Sequence, residues 1–324
     1  MRRLLTTTTA LLALAAPLVA AGPSVAAPAD IEIKPGAIKR GPDIADAHLD
    51  GTTIVDGDVR VKLKAPRALL YGKWNKYYIV ATGDREWGDV KLWRVSPAGV
   101  TKRLAKFIDP FNTRLDADGG QVAYSYGDST SKPTIAVYDL ELKDEIIVNA
   151  FASLPTLLDF DESVVVASFV SFKVKTITWN ITSDETVRVN SKRGNFASVA
   201  HNLLGFFNKD PFNKGCQVLT KLSDPTAVRW TNCDERIEAV SPDGRRVATI
   251  ALLSDGIGPA DVMVRKIGGT PVVHYSINGW FGRIWWETPT KLLMESNGKS
   301  KSAVVRCKVA LCNRATALAP APNI

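Results

Sequence analysis

The chain has 324 residues, 45% of them hydrophobic, and a formal net charge of +8 at pH 7. This length buries a sizeable core within one domain. The charge is mild for the size, so it permits attraction to anionic wall polymers but does not require a nucleic acid, and we expect no nucleic-acid partner.

The first 26 residues have the pattern of a secretory signal peptide. Arg2 and Arg3 form a basic start, residues 11–21 are apolar but too short to span a bilayer, and residues 24–26 are small enough for cleavage after position 26. No Cys lies nearby, so no lipid anchor is expected, and no later apolar run is long enough to cross a membrane. The sequence predicts a secreted, extracytoplasmic monomer with no integral membrane segment after signal removal.

Residues 27–51 contain Pro28, Pro35 and Pro42 and are predicted to form an extended lead-in. Residues 52–55 and 58–63 then flank an Asp-Gly turn and predict a β-hairpin. We expect a strand of this hairpin to pair with the last of the repeats that follow, because an unpaired edge would otherwise remain.

Three basic residues, Arg60, Lys62 and Lys64, alternate along the second hairpin strand and therefore share a solvent face. This pattern is typical of an outer strand that charge protects from edge-to-edge pairing. The alternative is a docking patch for an acidic surface.

Six copies of one strand pattern follow, at steps of 38 to 45 residues. That period matches a four-stranded propeller blade. The sequence predicts an all-β fold, a six-bladed β-propeller of four-stranded antiparallel blades over residues 52–318, with a C-terminal tail at 319–324. The second strands are predicted at 77–80, 121–124, 164–167, 202–205, 246–249 and 291–294, in blades near 67–106, 112–149, 155–191, 196–232, 236–275 and 282–318.

Aromatic residues recur at one position of the third strand in the first three copies, namely Trp93, Tyr138 and Trp179. Large rings fill the wedge between neighbouring blades, so we interpret them as core residues. Stacking on a ligand is the alternative.

The fifth copy carries the sharpest motif, Ser241-Pro242-Asp243-Gly244 followed by Arg-Arg-Val-Ala. It resembles the repeat of TolB-like β-propellers, which are related to WD-repeat propellers. The chain also resembles a group of uncharacterised secreted actinobacterial propellers through its Asp-Gly-x-Gly-Pro at 255–259, Trp-Phe-Gly at 280–282 and Val-Arg-Cys at 305–307. These resemblances imply a fold and no reaction.

Four cysteines in an exported protein indicate two disulfides. Cys216 and Cys233 are equidistant from the turn at 223–226, so they face each other across an antiparallel pair, where a disulfide fits. Cys307 and Cys312 bracket a four-residue turn in the same way. The sequence predicts these two pairings; the alternative, a metal site, lacks zinc-like spacing.

No pattern of catalytic residues stands out. His48, His201 and His274 fall on separate elements, and neither a nucleophile elbow nor a phosphate loop is present. Asp116, Asp118, Asp159 and Asp161 are interpreted as turn residues, with a bound cation as the alternative. We predict no catalytic residues, no metal and no cofactor.

Longer loops cluster at one end of the predicted propeller, where long loops on a rigid scaffold usually carry function. The glycines and proline around Asp255 indicate either a loop with a constrained backbone or a loop that clamps a ligand. Trp280 and Phe281 either pack on the core or bind a ligand. The candidate binding residues are Trp87, Asp210, Asp255, Gly256, Gly258 and Trp280.

The sequence therefore predicts a binding protein, more readily than an enzyme, that recognises an unknown protein or cell-envelope component through these loops. Two alternatives remain open. One is a carboxylate- or cation-dependent hydrolase, similar to a lactonase, with its site at the channel mouth. The other is a structural scaffold without a ligand site.

Overall fold

The structure, a computed structural model, describes residues 27–322 except 117, 119, 128–131, 170–174 and 255. The predicted signal peptide lies outside the described residues. The fold is all-β, with a single turn of 3₁₀ helix at Pro211–Asn213 among the described residues, and its strands form seven sheets arranged as the blades of a propeller. The prediction of six blades was wrong.

The first four blades are numbered here in chain order. Blade 1 contains β2 (His48–Asp50), β3 (Thr53–Asp56) and β4 (Val59–Lys62). Blade 2 contains β5 (Arg67–Trp74), β6 (Tyr77–Gly83), β7 (Lys91–Val95) and β8 (Thr101–Lys106). Blade 3 contains β9 (Ile108–Leu115), β10 (Gln121–Tyr126), β11 (Thr134–Asp139) and β12 (Asp144–Ala150). Blade 4 contains β13 (Pro155–Asp161), β14 (Val164–Phe169), β15 (Lys175–Asn180) and β16 (Glu185–Asn190).

The last three blades complete the set. Blade 5 contains β17 (Gly194–Ser198), β18 (Leu203–Phe207), β19 (Gln217–Lys221) and β20 (Val228–Asn232). Blade 6 contains β21 (Glu235–Val240), β22 (Arg246–Ala251), β23 (Asp261–Lys266) and β24 (Pro271–Ile277), with β1 (Ala29–Ile33) as a fifth, outer strand. Blade 7 contains β25 (Gly279–Thr288), β26 (Lys291–Gly298), β27 (Lys301–Lys308) and β28 (Leu311–Arg314), and the short β29 (Ala319–Pro320) pairs with β27.

The hairpin at 52–63 forms as predicted, but it pairs with β2 rather than with the last blade. Together the three strands make blade 1. The expectation that this segment completes the last blade was therefore wrong, because blade 7 already takes four strands from consecutive residues.

Within the part of the chain that the structure describes, blade 1 lacks the innermost strand that every other blade has. The carboxylate of Asp56, in the β3–β4 turn, accepts hydrogen bonds from Lys73 and Tyr78 at the β5–β6 turn, so both turns lie at one end of the ring. Only four residues link β4 to β5, as in the connection from the fourth strand of one blade to the first strand of the next. By position β2, β3 and β4 are thus second, third and fourth strands, and β2 lies against β5, the innermost strand of blade 2.

Apolar clusters fill the space between successive blades from blade 1 to blade 7. Trp179 and Tyr138 are buried in them, as the recurring aromatic position predicts, and Trp93 packs half-buried between blades 1 and 2. The junction of blade 7 with blade 1 differs. Its cluster joins Ile44 to Leu293, and blade 1 contributes no side chain to it.

Residues 29–47 form an N-terminal strap that crosses the outside of blades 6 and 7 before blade 1 begins. The strand β1 runs parallel to β24, with Ala29 opposite Val273 and Ile33 opposite Ile277. Arg314 of β28 then donates from its backbone N–H to the carbonyl of Lys39 at 2.9 Å. No hydrogen bond joins blade 7 directly to blade 1 within the described residues, so the strap is the polar connection between them.

Both predicted disulfides are present. Cys216 and Cys233 are joined with a Cα–Cα distance of 3.9 Å, and Cys307 and Cys312 with one of 4.2 Å. Cys307 lies directly opposite Cys312 in the β27–β28 ladder, so the hairpin geometry that suggested the pairing is the geometry that holds it. Two disulfides are compatible with an extracytoplasmic protein. Among the described residues there is no helix long and apolar enough to cross a membrane.

Candidate functional site

One end of the ring carries the loops between second and third strands and the links between blades; we call it the loop end. Trp87 lies there, in the β6–β7 loop, and is half-buried. Its ring contacts that of Phe111 edge-on, with 5.6 Å between centroids, and the Arg67 guanidinium lies 5.9 Å from its centroid. Asp84 fixes this loop, because its carboxylate accepts from the backbone N–H groups of Glu86 and Gly88.

The neighbouring aromatic rings are more exposed than Trp87. Phe107 and Phe111 have 62% and 60% of their surface accessible, and the Lys106 ammonium lies 5.2 Å from the Phe107 centroid. We call Trp87, Phe107 and Phe111 the aromatic patch. Trp87, Asp89 and Phe107 all have positive φ (62°, 43° and 58°), a conformation that costs free energy in residues other than glycine and recurs at binding sites.

Asp210 is exposed and caps the short 3₁₀ helix. Its carboxylate accepts from the backbone N–H of Phe212 at 3.1 Å and from the side-chain amide of Asn213 at 2.7 Å. It therefore orders the β18–β19 loop, whose exposed residue Phe212 is 77% accessible.

Gly258 and Trp280 are brought together where the β22–β23 loop meets blade 7. A Cβ on Gly258 would lie 2.2 Å from the carbonyl oxygen of Phe281, so only glycine fits there at its φ of 128°. The carbonyl of Pro259 also accepts from the Phe281 N–H at 2.8 Å. Phe281 is fully buried, whereas Trp280 is half-buried beside Gly258.

The remaining two predicted positions carry less information. Gly256 is exposed with a φ of 61° and an open space where a Cβ would be, so its role is to turn the loop. Asp255 lies outside the described residues. Trp87, Asp210 and the Gly258–Trp280 contact belong to different blades, and no contact joins them into one site.

Polar groups on the innermost strands tie neighbouring blades together. The Tyr71 hydroxyl donates to the Pro110 carbonyl at 2.7 Å, and the buried Asp159 accepts from the Val199 N–H at 2.7 Å. Burial raises the pKa of Asp159 above its ordinary value, and the Val199 hydrogen bond opposes this only in part. Asp159 thus connects blades 4 and 5 rather than serving a turn. Asp116 does serve one: it accepts from the Gly120 N–H at 2.7 Å.

The three histidines lie apart. His48 is on β2, His201 lies in the β17–β18 turn against Gly244, and His274 contacts Asp30 and Asp261 on the outer strands of blade 6. In the part of the chain that the structure describes, no group of three or more His, Cys, Asp or Glu residues is arranged to hold a metal ion.

A cleft of about 630 Å³ separates blade 7 from blade 1. Residues opposite one another in a sheet project to the same face, so His48, Val55 and Arg60 present one mixed, mainly polar face to the cleft. The facing wall comes from residues 295–297 and 302–304 of blade 7, and residues 315–319 continue it. The described residues that line this cleft include no Phe, Tyr or Trp.

Charge is unevenly distributed around the ring. Blade 2 carries nine Lys and Arg against three Asp and Glu over residues 67–106, and blade 7 carries seven against two over 279–314. Blade 3 is acidic, with three Lys and Arg against eight Asp and Glu over residues 108–150. The cleft and the thin, nearly neutral blade 1 therefore lie within a basic sector, and the aromatic patch lies where that sector meets an acidic blade.

Comparison with known proteins shows the fold. No family model matches the sequence, and no curated relative matches it. The β-propeller domain of the trilobed protease from Pyrococcus furiosus, described as having an open velcro topology, matches with a TM-score of 0.52 and 11% identity over 79% of this chain and 86% of that one. The acylaminoacyl peptidase of Pyrococcus horikoshii matches with a TM-score of 0.51 and 10% identity over 76% of this chain but 45% of that one. The chain is an all-β propeller with four-stranded antiparallel blades.

A putative TolB from Agrobacterium tumefaciens matches with a TM-score of 0.45 and 13% identity over 65% of this chain and 83% of that one. The similar structures show a β-propeller fold. They do not place the chain in a family, and the resemblance to secreted actinobacterial propellers stays a prediction.

Two features escaped prediction. Phe107 and Phe111 were missed because exposure of single aromatic residues cannot be read from a strand pattern. The loop position of Phe107, directly after the basic run at 102–106, was the available signal. The cleft was missed because it depends on blade 1 being a separate sheet.

Proposed function

We propose that the protein is a secreted binding protein that recognises a protein or a cell-envelope component through its loop end. The observation that carries this proposal is the aromatic patch: Phe107 and Phe111 are largely exposed, Arg67 lies beside the Trp87 ring, and Lys106 lies beside the Phe107 ring. Aromatic residues with neighbouring Arg are typical of binding hot spots. Positive φ at two patch residues supports a surface maintained for contact rather than for stability.

A hydrolase is the second candidate, since the similar structures include an acylaminoacyl peptidase. The likeness reaches less than half of that enzyme and is a likeness of fold. Against a catalytic site, the inner-strand groups of this chain already bond within the protein: Asp109 accepts from Asn112, and Asp159 from Val199. A scaffold without a ligand site is the third candidate.

Cosedimentation of the purified protein with isolated cell envelopes of its source organism tests the proposal. Phe111→Ala should weaken binding about thirtyfold or more, since losing an aromatic anchor costs about 2 kcal/mol. Leu142→Ala is the matched control, because Leu142 is an exposed apolar residue (70%) in the β11–β12 turn at the opposite end. Trp87→Ala and Trp280→Ala are compared with Asp116→Ala at equal folded fraction.

Equal losses from Phe111→Ala and Leu142→Ala would contradict a working surface at the loop end. Hydrolysis of a nitrophenyl ester or a lactone, lost on addition of EDTA, would favour the hydrolase instead. No envelope binding and no hydrolysis would favour the scaffold.

A further inference from the structure

The ring has a place for an innermost strand that the described chain does not fill. From blade 2 to blade 7 the innermost strands β5, β9, β13, β17, β21 and β25 contact one another in sequence. Between β25 and β5 stands blade 1, whose first strand β2 occupies the second position. The inner edge of β2 therefore lies one interstrand spacing, about 4.8 Å, outside the ring that the innermost strands form.

The inner edge of β2 presents free backbone groups. Leu63 donates its N–H to the Thr52 carbonyl at 2.9 Å, which makes 52 and 63 a hydrogen-bonded pair of the β3–β4 hairpin. Hydrogen bonding alternates along the ladder, so the backbone N–H and carbonyl groups of Thr53 and Val55 point towards β2. There these two residues pair with Asp50 and His48. Leu49 lies between those two, so its N–H and carbonyl point away from β3, and β2 pairs with no other strand among the described residues.

The cleft beside this edge has a local excess of free carboxylates. The carboxylates of Asp50 and Asp58 are exposed and have no hydrogen bond or ion pair with any described residue. Glu295 faces them from blade 7 and accepts only from the Arg283 N–H at 3.0 Å. The Arg60 guanidinium, by contrast, is occupied by the carbonyls of Gly57 and Val59.

We propose that this cleft binds an extended polypeptide segment that adds to β2 as the innermost strand of blade 1 and carries Lys or Arg side chains. Addition to a free strand edge supplies main-chain hydrogen bonds, and flanking pockets select the side chains. Carboxylates at Asp50, Asp58 and Glu295 complement a basic segment. The described lining of the cleft also offers no Phe, Tyr or Trp ring on which a sugar would stack. The inference does not depend on the aromatic patch, which lies on other blades.

Fluorescence anisotropy with three labelled octapeptides tests the proposal: one alternating Lys and Val, one alternating Glu and Val, and the Lys peptide N-methylated at alternate residues. The Lys peptide should bind, and the N-methylated peptide should bind at least tenfold more weakly, because it keeps the side chains but lacks the backbone donors. Asp50→Asn should raise the Kd of the Lys peptide threefold or more. Asp234→Asn, an exposed carboxylate on the link between blades 5 and 6, should leave it unchanged.

Equal binding of the N-methylated peptide would overturn strand addition. Binding of the Glu peptide as tightly as the Lys peptide would show that the basic blades 2 and 7 outweigh the cleft carboxylates and would overturn the proposed specificity. Absence of Lys-peptide binding at millimolar concentration would overturn the site itself.

Discussion

The carboxylate of Glu287 and the guanidinium of Arg306 face each other across blade 7 and share two hydrogen bonds of 2.6 Å. Both side chains are almost fully buried, at 4% and 6% accessible. The remaining Arg306 donors reach the carbonyls of Pro42 and Asp43, and the Ala45 N–H donates to Glu287 at 3.1 Å. One ion pair thus fixes the N-terminal strap where it passes from blade 7 to blade 1.

Arg306→Met is expected to destabilise the protein by about 3–5 kcal/mol, because it leaves the Glu287 carboxylate buried without its partner. It should also release the strap, so that trypsin cleaves faster after Lys39 and Arg40. Urea unfolding and a cleavage time course measure the two effects.

Arg265→Met is the matched control. Arg265 makes the same two-bond pair with Glu235, at 2.6 and 2.8 Å, but within blade 6 and with no contact to the strap. It should lower the free energy of unfolding without faster cleavage after Lys39 or Arg40. Equal acceleration of cleavage in both variants would show that the strap responds to general destabilisation, contrary to the role assigned to Arg306.

Acid should weaken the strap junction. Burial by itself raises the pKa of Glu287, but the hydrogen bonds from Arg306 and Ala45 and the Arg306 charge outweigh it, so the pKa in the folded protein is below the ordinary value. A carboxylate with a lowered folded pKa contributes stability above its unfolded pKa, about 4.3, and loses that contribution as pH falls through the folded pKa. The difference in Tm between wild type and Glu287→Gln is therefore expected to be large at pH 6 and to shrink below about pH 4. A constant difference from pH 6 to pH 3 would contradict this linkage.

The two disulfides should differ in their contribution to stability. Cys216–Cys233 closes a separation of 17 residues and Cys307–Cys312 one of 5. In the loop-entropy model the longer loop constrains the unfolded chain more, by about 1 kcal/mol. Replacing Cys216 and Cys233 by Ala should therefore cost about 1 kcal/mol more free energy of unfolding than replacing Cys307 and Cys312. Equilibrium urea unfolding of both double variants measures the difference, and the reverse order would show that native-state packing dominates.

Six of the seven blades were predictable because each has a buried second strand with adjoining Asp or Gly turns, as at 121–126 and 246–251. Blade 1 was not, because its second strand is three residues long and has Leu49 as its single apolar residue. The face of blade 1 that carries His48 and Arg60 is polar, because it borders the cleft and not the core of another blade. A strand of this kind leaves no apolar alternation to detect.

Local geometry was readable where partners are close in sequence, and for this reason the disulfides were predicted correctly. The strap was not readable, since it pairs Ala29 with Val273 through backbone groups that carry no sequence signal. Arg306 and Glu287 resemble ordinary surface charges in the sequence. Only the tertiary arrangement buries them and gives them their role.

The far end of the strap is expected to be held in part through His274 of β24. Its Nδ1 lies 3.0 Å from an Asp30 carboxylate oxygen on β1, and its Nε2 lies 2.9 Å from an Asp261 carboxylate oxygen on β23. His274 lies on β24, so its two ring contacts link that strand's neighbours, β1 and β23. His274→Ala removes both contacts and should therefore loosen β1.

Hydrogen exchange of the backbone amides at 29–33, corrected for intrinsic rates, measures this loosening. The effect should be small, about 1 kcal/mol or less, because Asp30 and Asp261 are largely exposed. His201→Ala, on a turn far from the strap, should leave the exchange of these amides unchanged. If protection of these amides were the same in His274→Ala as in the wild type, β1 would be held by its ladder with β24 alone, and the His274 contacts would contribute nothing to closing the ring.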